Sequence, residues 1–345
     1  MKKESEKNSF NPIRQGMQLL FFLLLMLLTY YTIFRKNDIR SILTSLKTLQ
    51  PLFLILSIGC AIFFVCAEGF MIWYLLRLTQ KNLRLLRCFG YSFIGFFFSG
   101  ITPSATGGQP AQLIAMKKDG ISLGDATLTL MTVALLYKLV LAAIGTGLLL
   151  FWHRELFAYL GDYIPLYYLG LSLNILLVLL LLLVMFHGTW MEKLLFSAEK
   201  TGIRLHLCKP SQKRKAALRR ITADYQNAFR FFLSHKLHIL FVTFCTFLQR
   251  CSLFLLTYFI YRGMGLTGCH AAVIILLQAS IYIAVDMLPL PGSQGISELI
   301  YHTVFAPVFT GASLAASMCM TRGISFYLPL LLGAIITFAD SYHSR

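Results

Sequence analysis

Acidic residues are scarce in this 345-residue chain: 14 Asp and Glu stand against 31 Lys and Arg, and charged residues reach only 13%. Soluble domains are nearer a quarter charged, so a water-facing surface is excluded for most of the sequence. No polar stretch is long enough for a second, soluble catalytic domain; the longest, 187–236, is a 50-residue basic linker. Catalytic signatures are missing as well. The sequence has neither a nucleotide-binding glycine loop with lysine nor a G-x-S-x-G turn, so no ATP-driven energy source is visible and no cofactor is expected.

Cysteines are present but never as C-x-x-C. Cys60, Cys66, Cys88, Cys208, Cys245, Cys251, Cys269 and Cys319 are scattered, mostly within apolar runs, where thiols act as small apolar groups. A disulfide framework and a zinc site are therefore not expected. His235 and His238 form H-x-x-H with no acidic partner or third ligand nearby, which falls short of the usual ligand sets.

What the chain has is hydrocarbon. Hydrophobic residues make up 57% of it, and its mean hydropathy is +0.70. Apolar runs at Met17–Phe34, Leu52–Leu76, Ala126–Phe151, Leu166–Phe186, Leu237–Tyr261, Ala271–Met287 and Ala312–Ala339 are mostly long enough to span ~30 Å of bilayer core. The first follows a basic start but lacks a small-x-small cleavage site, so it reads as a signal anchor. The expected fold is all-α: a polytopic membrane protein with about six full spans and two oppositely oriented re-entrant helical hairpins. It is one transmembrane domain, 1–345. The first half, 1–186, holds a hairpin at 89–116; the linker 187–236 follows; the second half, 237–345, holds a hairpin at 271–305.

Two breaks motivate the hairpins. Thr102–Gln112 reads TPSATGGQPAQ and Leu288–Glu298 reads LPLPGSQGISE, each deep in apolar sequence. Backbone without helical hydrogen bonds survives at that depth only if it is buried in protein or lines a wet cavity. Paired breaks in the two halves of a membrane protein point to a binding site near the midplane.

Charge placement sets the topology. With each break as a hairpin, segments 1–16, 77–88, 117–124, 187–236 and the C-terminus share one side and hold 22 Lys or Arg. The opposite segments, 35–51, 152–165 and 261–269, hold 6, and three more fall within spans. The positive-inside rule then puts both termini in the cytoplasm and makes the hairpins enter from opposite faces. The same topology places Arg35, Lys36, Arg40 and Lys47 of segment 35–51 outside.

Candidate site residues follow from these breaks. A helix starting near Gly108 before Pro110 would aim free amides at an anion, with Thr106, Gly107, Gly108 and Gln109 at its mouth. Ser293 and Gln294 occupy the matching place in the second break, with Ser293 a candidate helix cap. At membrane depth stand Glu68, Lys138, Arg250, Asp286, Glu298 and Arg322, each costly if exposed to lipid. Arg250 and Lys138 are candidate ligands for a lipid phosphate, Arg250 through its planar fork. Glu298, Asp286 and Glu68 are candidates for a cationic headgroup or a proton, and Arg322 is expected to snorkel. The bland alternatives are kinked packed helices and structural ion pairs. The basic run Lys209–Arg220 is expected to lie on the anionic inner leaflet. It lacks the aromatic interleaving of nucleic-acid binders, so no nucleic-acid partner is expected. A homo-oligomer is compatible with the sequence.

The two motifs resemble those of the lysylphosphatidylglycerol synthase transmembrane family, whose members include the flippase portion of the bacterial multiple peptide resistance factor. The family's first motif usually reads P-x-x-G-G-E-P, and Gln109 here stands in place of its Glu. The second usually reads P-G-G-x-G-x-x-E; Pro291, Gly292, Gly295 and Glu298 match, and Ser293 replaces a glycine. The resemblance implies a bacterial cytoplasmic-membrane protein that moves an anionic or aminoacylated phospholipid, such as lysyl-phosphatidylglycerol, between leaflets. That activity would lower surface negative charge and resist cationic peptides. The family's full-length synthases add a transferase domain that this sequence lacks, so lysyl transfer is not expected of the chain in isolation. A lipid-modifying subunit and an ion-coupled carrier of small solutes remain the rival readings.

Overall fold

The computed structural model describes residues 49–78, 83–102, 105–186, 234–288, 291–293, 295–309 and 311–343, with four scattered positions between 187 and 233. The run 17–34, most of the linker with Lys209–Arg220, and Gln294 lie outside the described residues. Among those described, the chain is helical and holds no strand. The helices are α1 (Pro51–Leu78), α2 (Leu85–Gly100), α3 (Gly108–Lys118), α4 (Leu123–Phe151), α5 (His153–Leu160), α6 (Ile164–Phe186), α7 (Lys236–Gly263), α8 (Ala271–Val285), α9 (Ile296–Phe305), α10 (Ala312–Arg322) and α11 (Leu328–His343).

Among the described residues, five helical segments are long and apolar enough to cross a bilayer: Pro51–Leu78, Leu123–Phe151, His153–Leu183, Lys236–Gly263 and Ser313–Asp340. The third joins α5 to α6 through a 3-10 turn at Gly161–Tyr163. The fifth joins α10 to α11 through a π-helical turn, Gly323–Tyr327. Pro329 explains the change of winding, because it has no N–H to return to Ser325 and would clash in a regular helix. Leucines of α6 and α7 face outward, with Leu176 60% and Leu237 81% exposed. An apolar exterior of this kind belongs in lipid. The protein is an all-α polytopic membrane protein.

α1 and α7 run antiparallel and form the central pair. At one end the Gln50 amide donates to the Gly263 carbonyl at 2.9 Å; at the other, Tyr74 and His238 hydrogen-bond at 2.5 Å. The short apolar helices α2 and α8 each begin a hairpin, and the two hairpins open at different ends of this pair. α2 and α3 start and finish at the Tyr74–His238 end: Trp73 donates to the Leu83 carbonyl at 3.1 Å, and Arg87 grips Asp119 at 2.5 and 3.1 Å. α8 and α9 start and finish at the Gln50–Gly263 end, where Tyr261 accepts from the Cys269 amide at 2.8 Å and packs on Phe309 at 5.4 Å. The oppositely directed hairpins read from the charges are present, with bounds at Leu85–Lys118 and Ala271–Phe305.

Candidate functional site

The tips of the hairpins meet inside the bundle. Together with α1, α4, α7 and the α10–α11 segment they enclose a cavity of about 200 Å³. The first tip contributes Ser99, Gly100 and Ala105; the second contributes Asp286, Leu288, Gly292 and Ser293.

Both tips are strained in the same sense. Ala105, Gly292, Ser293 and Gly295 all have positive φ, at 54°, 56°, 54° and 85°. For Ala105 and Ser293 this is a left-handed conformation that a Cβ disfavours. Ser293 is held there because its hydroxyl donates to the Val285 carbonyl at 2.9 Å, while its own carbonyl accepts from Ser297 at 2.8 Å. It does not cap α9, as the sequence had suggested. Gly295 occupies the cap position, and Glu298 reaches back to accept its amide at 2.7 Å. In the first tip, Thr102 donates to the Phe98 carbonyl at 2.6 Å and accepts from the Gly107 amide at 2.8 Å.

Two ion pairs stand at the cavity. Arg322 donates from Nε to Glu298 Oε1 at 2.6 Å and from Nη2 to the Gly292 carbonyl at 3.0 Å, with a further bond to Ser297. Glu298 Oε2 also accepts from Ser297 at 2.9 Å, so both its oxygens are engaged. Arg322 therefore does not snorkel; it clasps the unwound segment to the last span. On the opposite wall, Lys138 pairs with Asp286, and Tyr137 donates to the other oxygen of Asp286 at 2.5 Å. Each hairpin-borne carboxylate thus has a cation from a full span, which offsets the cost of burying it.

Arg250 is different. It is 3% exposed, lines the cavity, and carries a buried Nε with no hydrogen-bond partner among the described residues. Its guanidinium carbon stands 3.7 Å from the Tyr137 ring centroid and 4.5 Å from that of Phe64. Such ring contacts offset part of the charge's desolvation.

Of the residues read from the sequence, Arg250, Asp286, Ser293 and Glu298 line the cavity, and Lys138 joins through Asp286. Glu68 lies to one side, accepting from Gln112 of α3 at 2.6 Å. Thr106 and Gln109 are exposed and off the cavity. Gly108 is buried against α2, where a Cβ would fall 2.0 Å from Ser99 Oγ and 2.7 Å from the Gly95 carbonyl; the glycine there lets the two arms close. Gly107 is likewise tight, with a Cβ only 2.7 Å from Thr102. Phe64, Tyr137, Gln278 and Tyr282 also line the cavity; in the sequence the aromatic residues look like ordinary core of apolar helices, and Gln278 is a lone amide in an apolar run. The adjacency of Tyr137 to Lys138 was the available signal.

Residues 17–333 match the family model described as the lysylphosphatidylglycerol synthase TM region. The chain is also similar to the UPF0104 membrane protein PH1989 of Pyrococcus horikoshii, with 27% identity over 274 residues, covering 77% of this chain and 80% of that protein. With most of its length matched by that model, the chain belongs to the lysylphosphatidylglycerol synthase transmembrane family.

Proposed function

We propose that the protein translocates a phospholipid between leaflets, with the headgroup passing through the cavity where the hairpins meet. The observation that carries this reading is the meeting itself: two broken hairpins from opposite ends of the bundle bring unwound backbone and buried charge to one cavity whose wall is otherwise largely apolar. Broken helices at such a depth are tolerated where they line a cavity, and they mark binding sites in carriers built from opposed halves. Family membership favours an anionic or aminoacylated phosphatidylglycerol as substrate, and a role in lowering surface charge and resisting cationic peptides. On this reading the protein sits in the cytoplasmic membrane of a bacterium with both termini inside, and Lys209–Arg220 rests on the anionic inner leaflet.

The test is reconstitution. Purified full chain in vesicles carrying a fluorescent phosphatidylglycerol in one leaflet should accelerate its exposure to a membrane-impermeant quencher. Unchanged lipid exchange, together with uptake of a soluble solute, would replace this reading with that of a small-solute carrier. Transfer of lysine from charged tRNA to lipid by the chain alone would make it an enzyme.

A further inference from the structure

We infer that Arg250 is the seat of a phosphate-type oxyanion, so that the cavity selects its ligand for negative charge rather than for a cationic group. The inference deepens the translocation reading and rests on taking the cavity as the transport site.

Most charges at the cavity are already answered. Asp286 holds Lys138 and the Tyr137 hydroxyl. Glu298 holds Arg322, the Ser297 hydroxyl and the Gly295 amide. Neither carboxylate has an oxygen left without a donor, so neither is ready to take a cationic headgroup without losing an internal partner. The cations Lys138 and Arg322 are equally committed. Arg250 alone among the described cavity-lining charges has no carboxylate within ion-pair reach. Glu68 interacts with it only through space, and its own hydrogen bond goes to Gln112.

The surroundings suit one class of ligand. The rings of Phe64 and Tyr137 attract the guanidinium, but rings at its face do not satisfy the N–H donors along its edge. Those donors lie in a plane and match two oxygens of one oxyanion. The hydroxyl of Tyr282 and the side-chain amide of Gln278 line the same cavity. They offer donors beyond the two a flat carboxylate would use, which favours a tetrahedral phosphate. A buried unpaired cation is costly to the empty protein; a bound anion removes that cost, and this coupling makes the site selective.

The inference is tested on the purified full chain by thermal unfolding and direct titration with phosphatidylglycerol, soluble glycerol phosphate and phosphate-free diacylglycerol. Phosphatidylglycerol should raise the unfolding temperature and diacylglycerol should not. Stabilisation by glycerol phosphate too identifies a site open to free phosphate esters; stabilisation by the lipid alone identifies a headgroup site that needs its chains. Arg250→Gln should unfold no earlier than wild type without additives, because an unanswered charge is gone, yet bind phosphatidylglycerol about tenfold or more weakly. Arg250→Lys should fall between them. Equal affinity in Arg250→Gln and wild type overturns the inference. If neither variant can be purified, wild-type protein stabilised equally by diacylglycerol overturns it, and selective stabilisation by the phosphate-bearing lipid upholds it. The translocation reading fails separately, if wild type binds phosphate through Arg250 but moves no lipid. The inference fails separately, if lipid moves and Arg250→Gln moves it as fast.

Discussion

A Cβ placed on Gly170 would stand 2.2 Å from the carbonyl oxygen of Ile283 and 2.8 Å from that of Ala284. These obstacles are backbone, so they cannot turn aside as a side chain would. α6 therefore touches α8 through bare main chain, just before the second hairpin unwinds. Small residues permit this closeness in membrane helices. Gly170→Ala should push α8 away and cost roughly 1–3 kcal/mol, the usual scale of overpacking. The check is the unfolding temperature in detergent. An unshifted value would mean that α8 is free to move at this contact.

Glu298 and Arg322 make a second prediction, because Glu298 is buried, Arg322 is 16% exposed, and each partner answers the other. Glu298→Gln leaves Arg322 an uncompensated charge, a change that costs about 3–5 kcal/mol in comparable sites. Replacing both, as Glu298→Gln with Arg322→Gln, should recover a large part of that loss. With Arg322→Gln as the second single variant, the expected result is strong coupling in a double-mutant cycle of unfolding free energies, with translocation abolished in all three variants. Additive losses would show that the clasp between the unwound segment and the last span contributes little.

The large outlines of this molecule were readable from residues. Runs such as Leu52–Leu76 and Leu237–Tyr261 announce spans because lipid tolerates nothing else at that length. Gly107–Gly108 and Pro291–Gly292 announce breaks, because each interrupts an apolar run with residues that helices avoid. Their opposite directions followed from counting Lys and Arg. The pairing of charges was not readable. Glu298 meets Arg322 across 24 residues and Lys138 meets Asp286 across 148, distances over which local pattern carries no information. The ring contacts of Arg250 were hidden for the same reason: Phe64 comes from another helix, and nothing in its neighbourhood distinguishes it from core. The glycines of the first motif suggest an anion cradle in the sequence; the close approach of Gly108 to Ser99 adds a packing demand that sequence alone cannot display.

The direction of the two hairpins gives a third prediction. Lys118 ends the first hairpin and is exposed; Thr267 precedes the second and is also exposed. In a background freed of the eight native cysteines, Lys118→Cys and Thr267→Cys should react with a membrane-impermeant maleimide from opposite sides of sealed vesicles. Labelling of both from one side would contradict opposed hairpins, and with them the idea of a site reached alternately from each leaflet.

The last prediction concerns the mouth of the first hairpin. Arg87 holds Asp119 through two bonds and reaches Asp340 of α11 at 2.5 Å, and Tyr91 also donates to Asp119. Partial burial pushes the Asp119 carboxyl up, but the bonds from Arg87 and Tyr91, with the charges of Arg87 and Lys118, bring it below its ordinary value. A carboxyl whose folded pKa is depressed stabilises the fold above its unfolded pKa, near 3.9 for Asp. That contribution fades as pH falls through the lower, folded value. Asp119→Asn should therefore be less stable than wild type at pH 7, by about 1 kcal/mol or less for a pair whose side chains are 34% and 25% exposed. The gap should persist to roughly pH 4 and close in stronger acid, as the wild-type carboxyl itself takes up a proton. Unfolding temperatures of the two proteins from pH 7 down to pH 3 decide the matter: a gap that stays constant across the range would show that the Arg87–Asp119 bridge is not what holds the hairpin shut.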